Sequence, residues 1–268
     1  MTDPTGLFSW SVVGATIGAV VGVIVAAVFV SGRLVRVLPG IGLVLGASLA
    51  ITGVCYVAAS NVDPNSGLGQ FIRGFMIGSN AGMNGVLASV LFRPVVGITI
   101  VVIGFLSAFD GLAHNSVYKG ILGWTSWIMP MSWGATGLGI VFYLLNLVNA
   151  IWDPTKIDRI SIDRKTGSVF MSGGLIVGPS AFNMGNFVFI NPNYADGSTP
   201  DQTFEAVLAH ETGHTLTVAA FGTAFGLFDL LNENVLGAGE DDYGERIAES
   251  NVPGTTRPHI PMWGGSRP

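Results

Sequence analysis

The pattern of hydrophobic and polar positions changes near Trp152 and divides the chain into two parts. Up to that residue, long uncharged segments are separated by short polar ones. About 20 consecutive apolar residues are enough for a helix to cross the roughly 30 Å hydrocarbon core of a bilayer. The pattern therefore predicts an α-helical membrane domain over residues 1–152 with about five spans. The predicted spans are Phe8–Val30, Val37–Ala59, Phe71–Phe92, Pro94–Phe109 and Gly134–Ile151.

Three details refine this membrane domain. We expect the first segment to be a span rather than a cleaved signal peptide, because no Lys or Arg precedes it and its apolar run is longer than a signal peptide needs. The tryptophan-rich segment 118–133 is too short to cross the membrane and suits headgroup level or a re-entrant position.

Two spans carry a glycine at every fourth position, which predicts faces for close helix packing. These glycines are Gly14, Gly18 and Gly22, and Gly74, Gly78 and Gly82.

The basic residues predict the orientation, since Lys and Arg are enriched in short cytoplasmic loops. With five spans, three groups of basic residues fall on the same side of the membrane. This predicts an integral membrane protein with its N-terminus outside and its C-terminal domain in the cytoplasm. The groups are Arg33 with Arg36, then Arg93, and finally Lys156, Arg159, Arg164 and Lys165.

After Trp152 the pattern changes to short alternating runs that are typical of strands. Runs at 157–163 and 168–174 predict a hairpin with Gly167 in its turn, and residues 186–193 predict a further strand. Thr199 as N-cap, Pro200 and Gln202 then form the start signal of a helix that we expect to run to about Gly222. Residues 153–268 are therefore predicted to form a small α+β domain.

The segment LAHETGHTL, residues 208–216, lies near the middle of that predicted helix. Residues four apart on a helix point from the same face, so His210 and His214 can direct ring nitrogens at one point about 2.0–2.1 Å away, which is zinc-ligand geometry. Glu211 is rotated by roughly 100° from His210, which places its carboxylate beside the metal. There it can act as the general base that activates a zinc-bound water. The segment thus predicts bound Zn²⁺ and hydrolysis of a carbonyl compound.

This motif resembles that of the zincin metallopeptidases. The resemblance rests on residues 210–214 with Gly213 inside the motif, on their uncharged flanks, and on the preceding strand, which in zincins lies at the edge beside bound substrate. Metzincins also need a glycine and a third histidine, but Thr217 and Ala220 stand in those places. The resemblance is therefore to gluzincins, and it implies a zincin-like domain over residues 153–268 that cleaves peptide bonds.

Gluzincins take their third zinc ligand from a second helix, and an acidic residue four positions later orients a histidine ligand. The resemblance therefore implies Glu245 as the third ligand and Glu249 as the partner of an imidazole N–H. Glu233 is the alternative third ligand, and a solvated helix face is the alternative for the pair at 245 and 249. An oxyanion also needs a donor, for which the resemblance implies His259, with Tyr243 as the alternative.

Composition adds to the contrast between the two parts. Only 11% of the residues are charged, against about 25% in an average soluble protein. Trp152 is followed by 14 of the 17 acidic residues but only seven of the 12 basic ones. An acidic domain without a cluster of Lys and Arg argues against nucleic acid as a partner. The expected partners are the lipid bilayer and a peptide or protein substrate.

Together these features predict an integral membrane zinc metallopeptidase. Two alternatives stay open. One is an intramembrane protease of the site-2 type, in which the helix of residues 208–216 itself crosses the membrane; the polar helix start ten residues before His210 argues against it. The other is a non-catalytic membrane scaffold with a structural metal site, for which an intact Glu211 would be unnecessary.

Overall fold

The computed structural model describes residues 9–30, 37–174, 180–235, 239 and 242–264. Most of these residues are helical. Along the described part of the chain, four strands lie between a first group of seven α-helices and a second group of three. The α-helices are α1 (Trp10–Val30), α2 (Val37–Ser60), α3 (Gly67–Leu91), α4 (Pro94–Leu106), α5 (Asp110–Ala113), α6 (Ser116–Ser126), α7 (Trp133–Trp152), α8 (Phe204–Phe221), α9 (Thr223–Asn234) and α10 (Tyr243–Glu249). The strands are β1 (Ile157–Ile162), β2 (Val169–Gly173), β3 (Ala181–Met184) and β4 (Phe187–Ile190).

Three of the described helices are long and apolar enough to cross a membrane. They are Trp10–Val30, Pro39–Ser60 and Pro130–Trp152, which correspond to α1, α2 and α7. The segment predicted as the fourth span forms α4, which has 13 residues and is therefore only about 20 Å long. The described chain thus has three helices of this kind where the sequence predicted about five.

The segment predicted as the third span forms α3, which is central to the helical bundle. Its middle turns are buried within the protein and carry polar side chains, among them Asn80 and Asn84. The amide of Asn80 donates to the carbonyl of Ala220 on α8 at 2.9 Å, and Oδ1 of Asn84 accepts from the backbone N–H of Met131 at 2.8 Å. Other parts of the protein cover most of α3, which accounts for its less apolar sequence compared with α1 and α2.

The two glycine-bearing faces pack against each other, as the sequence predicted. A side chain added at Gly18 of α1 would overlap the carbonyl of Phe75 on α3, and one added at Gly78 of α3 would overlap the carbonyl of Ala15 on α1. Only hydrogen at these positions lets the two backbones approach so closely. The contact between α1 and α3 is the most extensive between any two described elements.

The sheet is mixed, with the strand order β1-β2-β4-β3. β1 and β2 form the predicted antiparallel hairpin, and Gly167 in its turn has φ +76°. β2 pairs with β4 in parallel, and β3 pairs with β4 in antiparallel. The predicted strand at 186–193 contains β4, which lies inside the sheet and is therefore not the substrate-side edge that the resemblance implied. β1 and β3 are the two edge strands of the described sheet, and β3 lies against α8.

α8 lies between the sheet and the helical bundle. It ends at Phe221 with Gly222 as C-cap, close to the predicted end. The predicted N-cap, Thr199, is wrong: residues 200–202 form a separate 3₁₀ turn, and the chain is extended at Thr203. The hydroxyl of Thr203 instead accepts the N–H of Ala206 at 3.2 Å and caps α8.

One buried hydrophobic cluster contains residues from both sides of the predicted domain boundary at residue 152. Ala15 and Ile77 from the membrane part belong to it, as do Phe225 and Trp263 from the C-terminal part. The helices that carry the HETGH segment and its surroundings therefore pack directly on α2, α3 and α6.

Candidate metal centre

Two helices bring three ligand-type side chains to one point. His210 and His214 lie one turn apart on α8, and their Nε2 atoms are 3.2 Å from each other. Glu245 comes from α10, where its Oε2 is 3.1 Å from Nε2 of His210 and its Oε1 is 3.1 Å from Nε2 of His214. Ligand atoms about 2.05 Å from a tetrahedral zinc ion lie about 3.3 Å from one another. The spacing of the three groups therefore fits such an ion.

The second nitrogen of each imidazole faces its own carboxylate. Nδ1 of His210 donates to Oε2 of Glu249 at 3.0 Å, and Nδ1 of His214 lies 3.4 Å from Oδ2 of Asp229. A carboxylate oxygen accepts, so these contacts place the imidazole protons on Nδ1. Both Nε2 lone pairs then point toward Glu245, which is also an acceptor. The two Nε2 atoms and the Glu245 carboxylate are then three acceptors without a donor between them, so a proton or a cation is required there. Carboxylate–histidine pairs of this kind orient metal ligands in proteins.

The charged groups of the cluster shift one another's pKa values strongly. Burial lowers the pKa of His210, but hydrogen bonds with Glu245 and Glu249 outweigh it and raise the pKa to about 9. The pKa of His214 is likewise raised against the effect of burial, first by the charge of Glu245 and then by Asp229. Burial raises the pKa of Glu245, yet the two imidazoles outweigh it and hold that pKa well below its usual range. The cluster therefore attracts positive charge.

Two glycines allow these elements to come together. A side chain at Gly213, inside the HETGH segment, would overlap the carbonyl of Ala248 on α10. A side chain at Gly244 would overlap the carboxylate of Asp229. Because both positions lack a side chain, α10 can cross α8 closely enough for Glu245 and Glu249 to reach the imidazoles.

Glu211 lies beside this cluster on α8. Its residue is 6% exposed, and its Oε2 has no hydrogen-bond partner among the described residues. Burial is the main cause of the raised pKa of its carboxyl group. Its backbone carbonyl accepts the side-chain amide of Asn183 at 3.1 Å, which ties α8 to the edge strand β3. A buried carboxylate without a partner is costly, which is typical of a group that serves chemistry.

A cavity of about 330 Å³ opens over these residues. Its lining includes Ser180 and β3 residues 181–183, and from α9 it includes Gly226, Asp229, Leu230 and Glu233. His210, Glu211, His214, Glu245 and Glu249 also line it. The edge strand and the metal-ligand cluster thus share one open space.

Of the further site residues that the resemblance implied, the structure brings Glu245 and Glu249 to the histidines but not His259. Glu245 joins the two histidines and Glu249 is 7% exposed, so neither belongs to a solvated helix face. Glu233 lines the cavity but does not belong to the cluster of three. His259 is buried outside the cavity lining, with Nδ1 2.9 Å from the carbonyl of Arg257, because the chain turns beneath α10 there. Tyr243 is also buried outside the cavity lining.

The sequence analysis did not identify Asp229, Tyr194 or Arg257, which also line the cavity. Asp229 had a detectable signal, because it is the one acidic residue in the apolar segment AFGLFDLL. A carboxylate in such a segment is costly unless it is paired. Tyr194 and Arg257 gave no such signal, since both lie in loops.

Comparison with known proteins adds no relative: no family model, no curated protein and no solved structure matches this chain. The functional argument therefore rests on the geometry of the cluster.

Proposed function

We propose that this protein is an integral membrane zinc metallopeptidase of the gluzincin-like type. The observation that carries the proposal is the convergence of His210, His214 and Glu245, each imidazole oriented by its own carboxylate, beside the buried Glu211. His210, His214 and Glu245 would hold the zinc ion. All three side chains line the cavity, so a zinc ion that they held would be reachable from it, as a catalytic zinc site needs.

Each residue of the site has its own role in the proposed hydrolysis of a peptide bond. A zinc ion in this position supplies a Lewis acid that makes water a nucleophile near neutral pH. Glu211 accepts the proton of the attacking water and later returns it to the leaving amine, for which a raised carboxyl pKa is suited. Glu249 and Asp229 hold the imidazoles in the tautomer that leaves Nε2 free. The open edge of β3 supplies backbone groups that can pair with an extended peptide.

His259, which the resemblance implied as the donor to the oxyanion, does not line the cavity, and neither does its alternative Tyr243. Tyr194 and Arg257 do line it. A phenol and a guanidinium are both able to stabilise developing negative charge. We therefore propose Tyr194 and Arg257 for this role.

The two alternatives predict different properties. In a site-2-type protease the helix of the motif crosses the membrane, but α8 is not among the described helices that are long and apolar enough to do so. A scaffold with a structural metal site has no use for Glu211, which is buried at an energetic cost. Both considerations favour the metallopeptidase.

A comparison of two Glu-to-Gln changes on α8 tests the proposal. Glu211→Gln should keep one bound zinc but lower hydrolysis by at least about 100-fold, because it removes the general base. Glu205→Gln is the matched control, since Glu205 is exposed on the same helix and outside the cavity lining. Zinc is measured by elemental analysis, and hydrolysis by mass spectrometry of a proteome-derived peptide library.

His214→Ala completes the set and should lose both the zinc and the hydrolysis. Wild-type protein that binds no zinc would contradict the metal site. Equal hydrolysis by the wild type and by Glu211→Gln would show that Glu211 is not the base. Zinc binding without any cleavage would favour the scaffold.

A further inference from the structure

α9 has two faces of opposite character. On its inner face, Phe225 and Phe228 pack against Tyr56 of α2, and Asp229 reaches His214. Its outer face carries a stripe of exposed aliphatic side chains at the spacing of one helix face. The stripe consists of Leu227, Leu230, Leu231 and the C-cap residue Val235, which are 38%, 44%, 49% and 71% exposed.

This outer stripe continues the surface of α2, which is one of the three helices apolar enough to cross a membrane. The ring of Phe228 occupies the space beside Gly53, where an added Cβ would be 2.5 Å from its Cζ. Next to this contact, α2 exposes Val54 and Val57, at 73% and 61%. Water is an unfavourable solvent for exposed aliphatic side chains that lie this close together.

The contact with α2 also determines how far α9 lies from the end of α2, and thus how deep it would lie in a membrane that α2 crosses. Gly53 and Tyr56 lie seven and four residues before the end of α2 at Ser60, which corresponds to about 10 Å and 6 Å along the helix. An amphipathic helix in a membrane interface is immersed by about 5–10 Å. α9 therefore lies at the level of the boundary between headgroups and acyl chains if α2 crosses the membrane.

α9 is at the same time a wall of the metal cavity. Gly226, Asp229, Leu230 and Glu233 line the cavity, and Leu230 is also part of the outer stripe. The cavity wall and the outer stripe therefore meet at the apolar side chain of Leu230, while Asp229 and Glu233 give the same wall two acidic groups.

We propose that α9 lies in the membrane interface with its outer stripe against lipid, and that the cavity takes peptide segments that arrive from the bilayer. The first half of this proposal depends only on the position of α9. The second half rests on the proposed peptidase function. The substrate class is then an apolar peptide segment of a membrane protein, rather than a freely soluble peptide.

Spin-label accessibility tests the position of α9. Cys55 is the only cysteine, so Cys55→Ala provides the background for single labels. Nitroxides are placed by Leu231→Cys and Leu227→Cys, with Val57→Cys as the lipid reference and Asn193→Cys, exposed in a loop, as the water reference. The protein is reconstituted in phosphatidylcholine vesicles, and power saturation is measured with oxygen and with a water-soluble nickel chelate.

We expect the labels on α9 to resemble the lipid reference, with a higher ratio of oxygen to nickel accessibility than the label at Asn193. Labels that behave like the water reference would overturn the proposal. Two labelled positions keep the test valid if one variant fails to fold.

The substrate class is tested with one scissile sequence in two forms. A peptide cleaved in the library is presented either free in solution or fused to a 20-residue apolar helix in the same vesicles, with Glu211→Gln as the inactive control. We expect cleavage of the membrane-bound form to be at least tenfold faster. Equal rates would overturn the substrate half alone. If no library peptide is cleaved, either free or fused to the apolar helix, while the labels report lipid, the peptidase function fails and the position of α9 stands.

Discussion

At the scale of single residues, each imidazole of the cluster has a carboxylate on both sides of its ring. His210 lies between Glu249 and Glu245, and His214 lies between Asp229 and Glu245. Without metal, protons on the imidazoles balance these carboxylates, which explains the raised histidine pKa values. A zinc ion bound here as proposed would need neutral imidazoles and would replace those protons, so metal and protons would compete for the same site.

This competition predicts different pH responses for the metal-free and the zinc-saturated protein. The pKa of His210 rises from 6.5 to about 9 on folding without metal. Its contribution to the free energy of unfolding is therefore complete below pH 6.5 and is lost as the pH rises through 9. Thermal melts of chelator-treated protein should show lower stability at pH 9.5 than at pH 6.5. Zinc-saturated protein should lack this loss, and a metal-free protein that is more stable at pH 9.5 would contradict the protonated cluster.

The residues of the site differ in how far the sequence predicts them. His210 and His214 follow from helix periodicity, because residues four apart share a face, and Glu211 follows from its position directly after His210. Glu245 needed a resemblance, since nothing local relates it to α8. Asp229 was missed because its role depends on Gly244, which lies on another helix and leaves room for its carboxylate.

At the scale of elements, a hydroxyl of α2 contacts the carboxylates that support the cluster of His210, His214 and Glu245. Tyr56 donates to Oδ2 of Asp242 at 2.6 Å and lies 3.3 Å from Oδ1 of Asp229. Asp242 caps α10 by accepting the N–H of Tyr243 at 2.7 Å, so it also fixes the helix that carries Glu245. A helix apolar enough to cross the membrane therefore supports two of the three ligands indirectly.

Tyr56→Phe removes this hydroxyl and keeps the ring. Loss of a direct partner of a metal ligand typically costs 10- to 100-fold in metal affinity, so we expect a loss of about 3- to 10-fold for this more distant group. Zinc affinity is measured by competition with a chelator, and the spectrum of the Co²⁺-substituted protein reports ligand geometry.

Tyr118→Phe is the control for that change. Its hydroxyl is also buried and donates to the carbonyl of Ile103 at 2.6 Å, but it lies on α6 and contacts no residue of the cluster. A general loss of stability would affect both variants equally. Equal zinc affinity in the two variants would show that Tyr56 does not position the ligands.

At the scale of the whole molecule, the sequence predicted local features better than their assembly. The apolar segments, the hairpin around Gly167 and the end of α8 follow from patterns within a few residues. The parallel pairing of β2 with β4, the position of β3 at the edge and the burial of α3 depend on contacts between distant segments. Asn80 shows the difference: on the sequence it is a polar residue in a predicted span, and in the fold its amide holds the end of α8.

Because the cluster joins α8, α9 and α10 over one buried core, zinc should stabilise the whole molecule. A ligand at 100 times its Kd adds about 2.7 kcal/mol to the free energy of unfolding, which corresponds to an increase in Tm of roughly 5–10 °C for a chain of this size. We expect this increase in the wild type and in Glu211→Gln, since Glu211 is not a ligand, and its absence in His214→Ala. Thermal unfolding in detergent, followed by tryptophan fluorescence with zinc or with a chelator, measures it. An equal increase in His214→Ala would mean that zinc binds elsewhere, and no increase in the wild type would remove the metal centre from the proposal.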